Sequence, residues 1–272
     1  MRSVLNRWCA LTALAAQPCI LGCLSNNYVT PGEPAPFGQL TPKSVSDTLV
    51  LTPEAPWPAA LAFTRVQAGN YRSSSGDGVK RAGLTLLGPK DLEREKDLAV
   101  IQAWPSLASV VRLTPILVSG ADDVMLSLRE GAATLHADIL GLYTIDTDFH
   151  VDDRDLGPLS LITLGLAPTR NAVVNCTASI VFFDVRTGYC YGTAEGSAQD
   201  DQIGSAWTSR QALHDARCRA ERSAFEALLG QAGVLWTAIA TRGVPTAAPA
   251  TTSDANSAPQ SSASTESDPA LP

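Results

Sequence analysis

The chain has 272 residues, 45% of them hydrophobic and 17% charged, and a formal net charge of −7. That length holds one large domain or two small ones. The acidity, with no cluster of Lys and Arg, excludes a nucleic-acid surface, since phosphate binding needs concentrated positive charge.

Residues 1–22 read as an export signal. Arg2 and Arg7 make a positive start, and "WCALTALAA" is a short apolar run. It falls short of the roughly 20 apolar residues that span a bilayer. "ILGC" (residues 20–23) then resembles the bacterial lipobox, with Ile20 where Leu is commonest and Leu21 where Ala or Ser is usual. The resemblance implies that diacylglycerol is attached to the Cys23 thiol, that the chain is cut before it, and that the new amine is acylated. Cys19 is then discarded with the signal. Two or more acyl chains anchor stably where one holds only marginally. Loss of Arg2 and Arg7 takes the charge from −7 to about −9. Leu24 follows the cysteine in place of Asp, which by resemblance to the Gram-negative sorting rule implies the outer membrane, facing the periplasm. The other readings are a soluble secreted protein cut near "ALAA" and an uncleaved anchor.

Residues 23–58 contain Pro31, Pro34, Pro36, Pro42, Pro53, Pro56 and Pro58, so an extended, semi-rigid tether is expected, with a reach of roughly 100 Å. Residues 59–242 form one domain. "PAALAFTRVQAG" predicts a strand, ended by the loop "NYRSSSGDG". "KDLEREKDLAVIQAW" predicts a helix behind Pro89, and "SVVRLTPILV" a strand that is an edge or ends at Pro115. In "ADDVMLSLREGAATLHA", Asp122 and Asp123 suit a helix N-terminus, while Val124, Leu128, Ala132 and Leu135 repeat at helical spacing. "DILGLYTIDTDF" predicts a strand, first buried and then alternating, and "LSLITLGLAP" another. "NAVVNCTASIVFFDVRTGYCYGTAEGSAQ" predicts a hairpin in which Asp184 bonds forward to the backbone and Gly188 takes positive φ. "SAWTSRQALHDARCRAERSAFEALLGQ" is a long amphipathic helix with Leu213, Ala216, Ala220, Ala224 and Leu228 inward and Phe225 and Leu229 at the margin. After the signal no apolar run reaches spanning length. Residues 243–272 lack aromatics and nearly all large aliphatics, so a disordered tail is expected. The fold class is α/β, a mixed sheet with helices packed on it in a single compact domain.

The element order, the helix-to-strand passage "LREGAATLHADILGLYTI" and the hairpin "SIVFFDVRTGYCYG" with its Asp-x-x-Thr-Gly turn together resemble a family of envelope domains. These are the TolB-type amino-terminal domain and the curli-secretion lipoprotein CsgG. The resemblance covers most of residues 59–230 and implies that the segment before the turn is a central strand. Rhombotarget-type lipoproteins are similar too, but this chain lacks their hydrophobic C-terminal sorting helix. No pair of long membrane-inserting hairpins is evident, so pore formation is not carried over.

No Gly-x-Ser-x-Gly or His-Glu-x-x-His motif occurs, and "GDGVKRAG" lacks a phosphate-loop ending, reading as a turn. "DTDFHVDDRDLG" gathers Asp146, Asp148, Asp152, Asp153, Asp155 and His150. Its oxygen density suits a hard cation, with Asp146, Asp148, Asp152 and Asp153 as weak candidates. The spacing follows no known calcium loop, and a solvated inter-strand loop is the favoured reading. Cys176 and Cys190 lie too far apart along the hairpin to pair, though either could meet Cys218. Cys190, His214 and Asp215 are the residues a nucleophile–base site would use, although no pattern joins them. Trp207 and Trp236 read as core or interface anchors. The expectation is a non-enzymatic envelope lipoprotein without metal or cofactor, held to the membrane by Cys23, that binds an unknown envelope protein or itself. The alternatives are a CsgG-like assembly accessory and a hydrolase.

Overall fold

The computed structural model describes residues 31–40, 44–72, 76, 78–81, 83–89, 92–120, 123–153, 170–204 and 210–243; of these, the side chains of 151–153, 170–172, 201–204 and 210–212 are not described. The signal, Cys23, Asp122, Asp155, the strand expected at 159–168, Trp207 and the tail after Gly243 lie outside the described residues.

β1 (Ala59–Ala68) is buried along nearly its whole length because both of its faces are covered, which is why its sequence is a continuous apolar run. β2 (Val79–Arg81) and β3 (Leu84–Leu87) form a hairpin that pairs antiparallel with the end of β1. No strand was expected there: "LTLL" is short and follows a polar loop. α2 (Glu95–Gln102) starts later than the expected helix. Asp97 Oδ2 accepts from Arg94 N at 2.7 Å and so sets the first turn. β4 (Leu107–Arg112) pairs parallel with the start of β1 and stops before Pro115, which opens a 3₁₀ turn.

α3 (Val124–Thr134) is capped by Asp123, whose carboxylate accepts from Leu126 N at 2.9 Å. β5 (Ile139–Asp153), β6 (Arg170–Asp184) and β7 (Cys190–Gly204) make a ribbon of 15-residue strands. α4 (Arg210–Gly243) covers one face of it. A 34-residue helix and a 15-residue strand are both about 50 Å long, so each runs the length of the other. From Arg210 onward α4 takes in the expected helix and "VLWTAIA" without a break. Over Leu213–Gly243 it is long and apolar enough to cross a membrane, but here its apolar stripe lies on the sheet.

The strand order is β2-β3-β1-β5-β6-β7, with β4 beside the first half of β1, giving a mixed seven-stranded sheet. β1 is parallel to both β4 and β5, and the remaining pairs are antiparallel. This is the expected mixed sheet with helices on it. One core lies between the sheet and α2 and α4, where Trp57, Trp104 and Phe182 close round Trp236 at centroid distances of 5.4, 5.8 and 5.7 Å. Ala216, Ala220 and Ala224 let α4 approach β7 closely. A second core, under α3, holds Leu128, Leu140, Leu142 and Phe183. Each fully buried large side chain contributes about 1.5–3 kcal/mol.

Part of the expected tether belongs to this second core. Ala35 and Leu40 are buried in it, Pro34 bridges Gln67, and Ala35 N donates to Thr144 Oγ1 at 2.7 Å. Residues 45–49, expected to be extended, form a short helix, α1 (Val45–Leu49), opened by Ser44.

Candidate functional site

As far as Asp153 the acidic run is strand and not the solvated loop favoured for it. β5 pairs residue by residue with β6 as far as Asp153, so Asp146 sits opposite Thr177 and Asp148 opposite Asn175. From Asp146 onward exposure alternates. Asp146, Asp148 and His150 face solvent on the side away from α4, while Thr147 and Phe149 turn toward it. Period-two alternation overrides the repulsion between neighbouring carboxylates, because successive side chains leave on opposite faces. Asp152 and Asp153 continue the strand, with side chains outside the described residues. Among the described residues no three His, Cys, Asp or Glu gather as metal ligands.

Cys190, His214 and Asp215 are not brought together. α4 runs antiparallel to β7: a Cβ on Gly192 would touch Leu235, one on Gly196 would strike Leu228, and Arg219 pairs with Asp200. Cys190 faces Phe183 at the start of β7, whereas His214 lies beyond Asp200, over 30 Å along the ribbon at about 3.3 Å per residue. The His214 neighbour is Cys218, with Sγ 3.6 Å from Nε2. Cys176, Cys190 and Cys218 are all free. Cys176 is buried, which pushes its thiol up to about 11.

Three polar clusters were not anticipated. Halfway along β1, β4 departs and β3 takes its place, leaving a cleft floored by Thr64 and walled by Pro89, Glu93, Arg112 and Pro115. Glu93 accepts there from Tyr143 Oη at 2.7 Å and Arg112 Nε at 2.6 Å. Burial pushes its carboxyl up, and these two donors pull it back only in part. Behind the sheet, Arg65 and Arg217 flank Glu221 at 3.6 and 3.7 Å, with Thr147 Oγ1 donating to the same carboxylate. Between α2 and α4, Arg222 grips both oxygens of Asp97 at 2.6 and 2.5 Å and also reaches Glu226. Burial works against the Asp97 charge, but Arg222 and Arg94 N hold its carboxyl below the usual range. One signal was available: Arg65 stands inside a strand buried on both faces, and such a charge needs a partner.

The turn after β6 holds the incoming chain. Asp184, fully buried, accepts from Arg186 N and Thr187 N within the turn, from Tyr191 Oη, and from Glu54 N and Ala55 N. Burial opposes the charge, but these donors hold its carboxyl below the usual range. Gly188 completes the turn at φ +76°, and Thr187 Oγ1 donates to Thr52 O at 2.8 Å. Asp and Thr of the Asp-x-x-Thr-Gly motif therefore hold residues 52–55.

No family model matches the sequence, and no curated protein matches it. Among solved structures, the crystal structure of protein XCC0632 from Xanthomonas campestris, of family DUF330, is similar at a TM-score of 0.26 and 11% identity, over 76% of this chain and 95% of that one.

Proposed function

We propose that this protein is a lipid-anchored module of the cell envelope, held through Cys23 at the periplasmic side of the outer membrane, that binds another envelope component and catalyses no reaction. The observation that carries this reading joins the lipobox-like start to the fold. Eight residues after Cys23 the chain is already docked on the domain, with Pro31 O accepting from Arg72 N at 2.6 Å. A lipid at Cys23 therefore holds the domain itself. The binding surface is the open face of the ribbon, where Asp146, Asp148, Thr177, Glu195 and Ser197 are presented. Acidic and hydroxyl-bearing side chains on a flat sheet suit a polar or basic partner.

The test is purification of the native protein with its companions, followed by mass spectrometry. A mature N-terminal peptide beginning at acylated Cys23 and a reproducible envelope partner support the reading. A different mature start, or a Cys23→Ala chain that still sediments with membranes, removes the anchor from it.

Self-assembly is a second reading, favoured by β7. Among the described residues this 15-residue strand pairs with β6 alone, and an open edge is a template for another strand. A large uniform species in detergent supports assembly; a monomer-sized one rejects it.

A further inference from the structure

We infer that the end of the domain toward which β5 runs, where β7 passes Asp200, faces the bilayer that carries the lipid. This rests on the lipid-anchor reading of Cys23. Two observations carry it: where the N-terminal segment leaves the fold, and in which direction.

The segment lies antiparallel to the end of β1. Ala68 N donates to Glu33 O at 3.1 Å, Pro34 bridges Gln67, and Arg72 N donates to Pro31 O. Followed back from Ala35 to Pro31, the chain moves in the direction of β1, which is also that of the parallel strand β5. Gly32 seals the contact: a Cβ there would come within 2.5 Å of Tyr71 Cα. From Pro31 only eight residues remain to Cys23, and at full extension they span at most about 28 Å. The expected reach of roughly 100 Å does not survive the docking of residues 31–40, since an anchor at Cys23 lies within about 28 Å of Pro31.

Levels along the sheet follow from register. Gln67 caps Ile145, donating to its carbonyl at 2.8 Å and accepting from its N–H at 3.0 Å. Glu33, whose carbonyl accepts from Ala68 N, lies at about the level of Asp146, with Phe149 three residues farther along β5. Phe149 pairs with Val174 and Val174 with Asp200, beside which Arg219 and hence Cys218 stand. Cys190 faces Phe183, the partner of Leu140, roughly 30 Å farther from the anchor. The two exposed thiols thus stand roughly 30 Å apart along the sheet.

The experiment uses the full acylated chain in phosphatidylethanolamine vesicles carrying a headgroup-attached energy acceptor. A donor dye is placed on Cys218 in a Cys190→Ser chain, and on Cys190 in a Cys218→Ser chain. Transfer several-fold stronger from position 218 is expected, and a 20-residue Gly-Ser insertion between Asn27 and Tyr28 should shrink the difference. Equal transfer, or stronger transfer from position 190, overturns the orientation while acylation stands. Absence of lipid on the N-terminal peptide, or loss of flotation with vesicles, overturns the anchor reading and this inference with it.

Discussion

Asp184, in the turn joining β6 to β7, accepts a hydrogen bond from the backbone N–H of Glu54 at 2.7 Å, across 130 residues of chain. A second bond from Ala55 N at 2.8 Å lies beside it on the same oxygen. Asp184→Ala strands four backbone donors and the Tyr191 hydroxyl, and a loss of about 3–5 kcal/mol is expected. Asp184→Asn should lose less because one acceptor oxygen remains. Urea unfolding checks both, and equal stability of wild type and Asp184→Ala would refute the hub.

Asp184 and Glu93 should respond oppositely to acid. The Asp184 pKa is depressed in the folded protein, so its contribution is complete above the unfolded value of about 3.9 and vanishes as pH falls through the folded value. The Glu93 pKa is raised, so ionised Glu93 costs stability above its folded value. That cost is relieved as pH falls through the folded value toward the unfolded one, about 4.3. Glu93→Gln should flatten this second dependence, whereas Arg112→Ala should enlarge it, and melting temperatures measured between pH 4 and 7 will show which occurs.

Two glycines on the α4–β7 side should behave oppositely on replacement by alanine. A Cβ on Gly196 would fall 2.2 Å from Leu228 N and 2.6 Å from Ala227 C, so the helix must lift off the strand. A loss of about 3 kcal/mol is expected, at the high end for overpacking. Gly230 is exposed in the helix interior with nothing within 4 Å of such an atom, so Gly230→Ala should gain about 0.5–1 kcal/mol. Denaturation midpoints of the pair decide the point.

Gly32→Ala tests whether residues 31–40 belong to the fold. It pairs a φ of +139° with a clash against Tyr71 backbone, so it should unseat the segment and expose Ala35 and Leu40. Faster amide exchange at Ala35 and a lower melting temperature are expected; a free tether would leave both unchanged.

Much of the fold was legible because its signals are local. The alternation of β5, the Asp-x-x-Thr-Gly turn, the Asp123 cap and the alanine stripe of α4 each follow from neighbours within a few positions. The acidic run had two readings, since Asp146 and Asp148 stand both in the alternating strand expected as far as Phe149 and in the loop favoured for the charges; through Asp153 the strand period prevails. The prolines before residue 58 suggested a tether, yet Pro34 suits the edge of β1, where its missing N–H costs nothing. Neither Glu93 with Tyr143 nor Asp97 with Arg222 could be paired by inspection, since 50 and 125 residues separate them.

By itself, then, the sequence determined the long strands and helices, though not β2, β3 or α1, and where the turn between β6 and β7 lies, since backbone preference and burial period act over a few residues. Only the tertiary structure decided which charges neutralise one another, where residues 31–40 dock, and how short that leaves the run back to Cys23. Those outcomes depend on contacts between segments far apart in the chain, which come within bonding distance only when the sheet has formed.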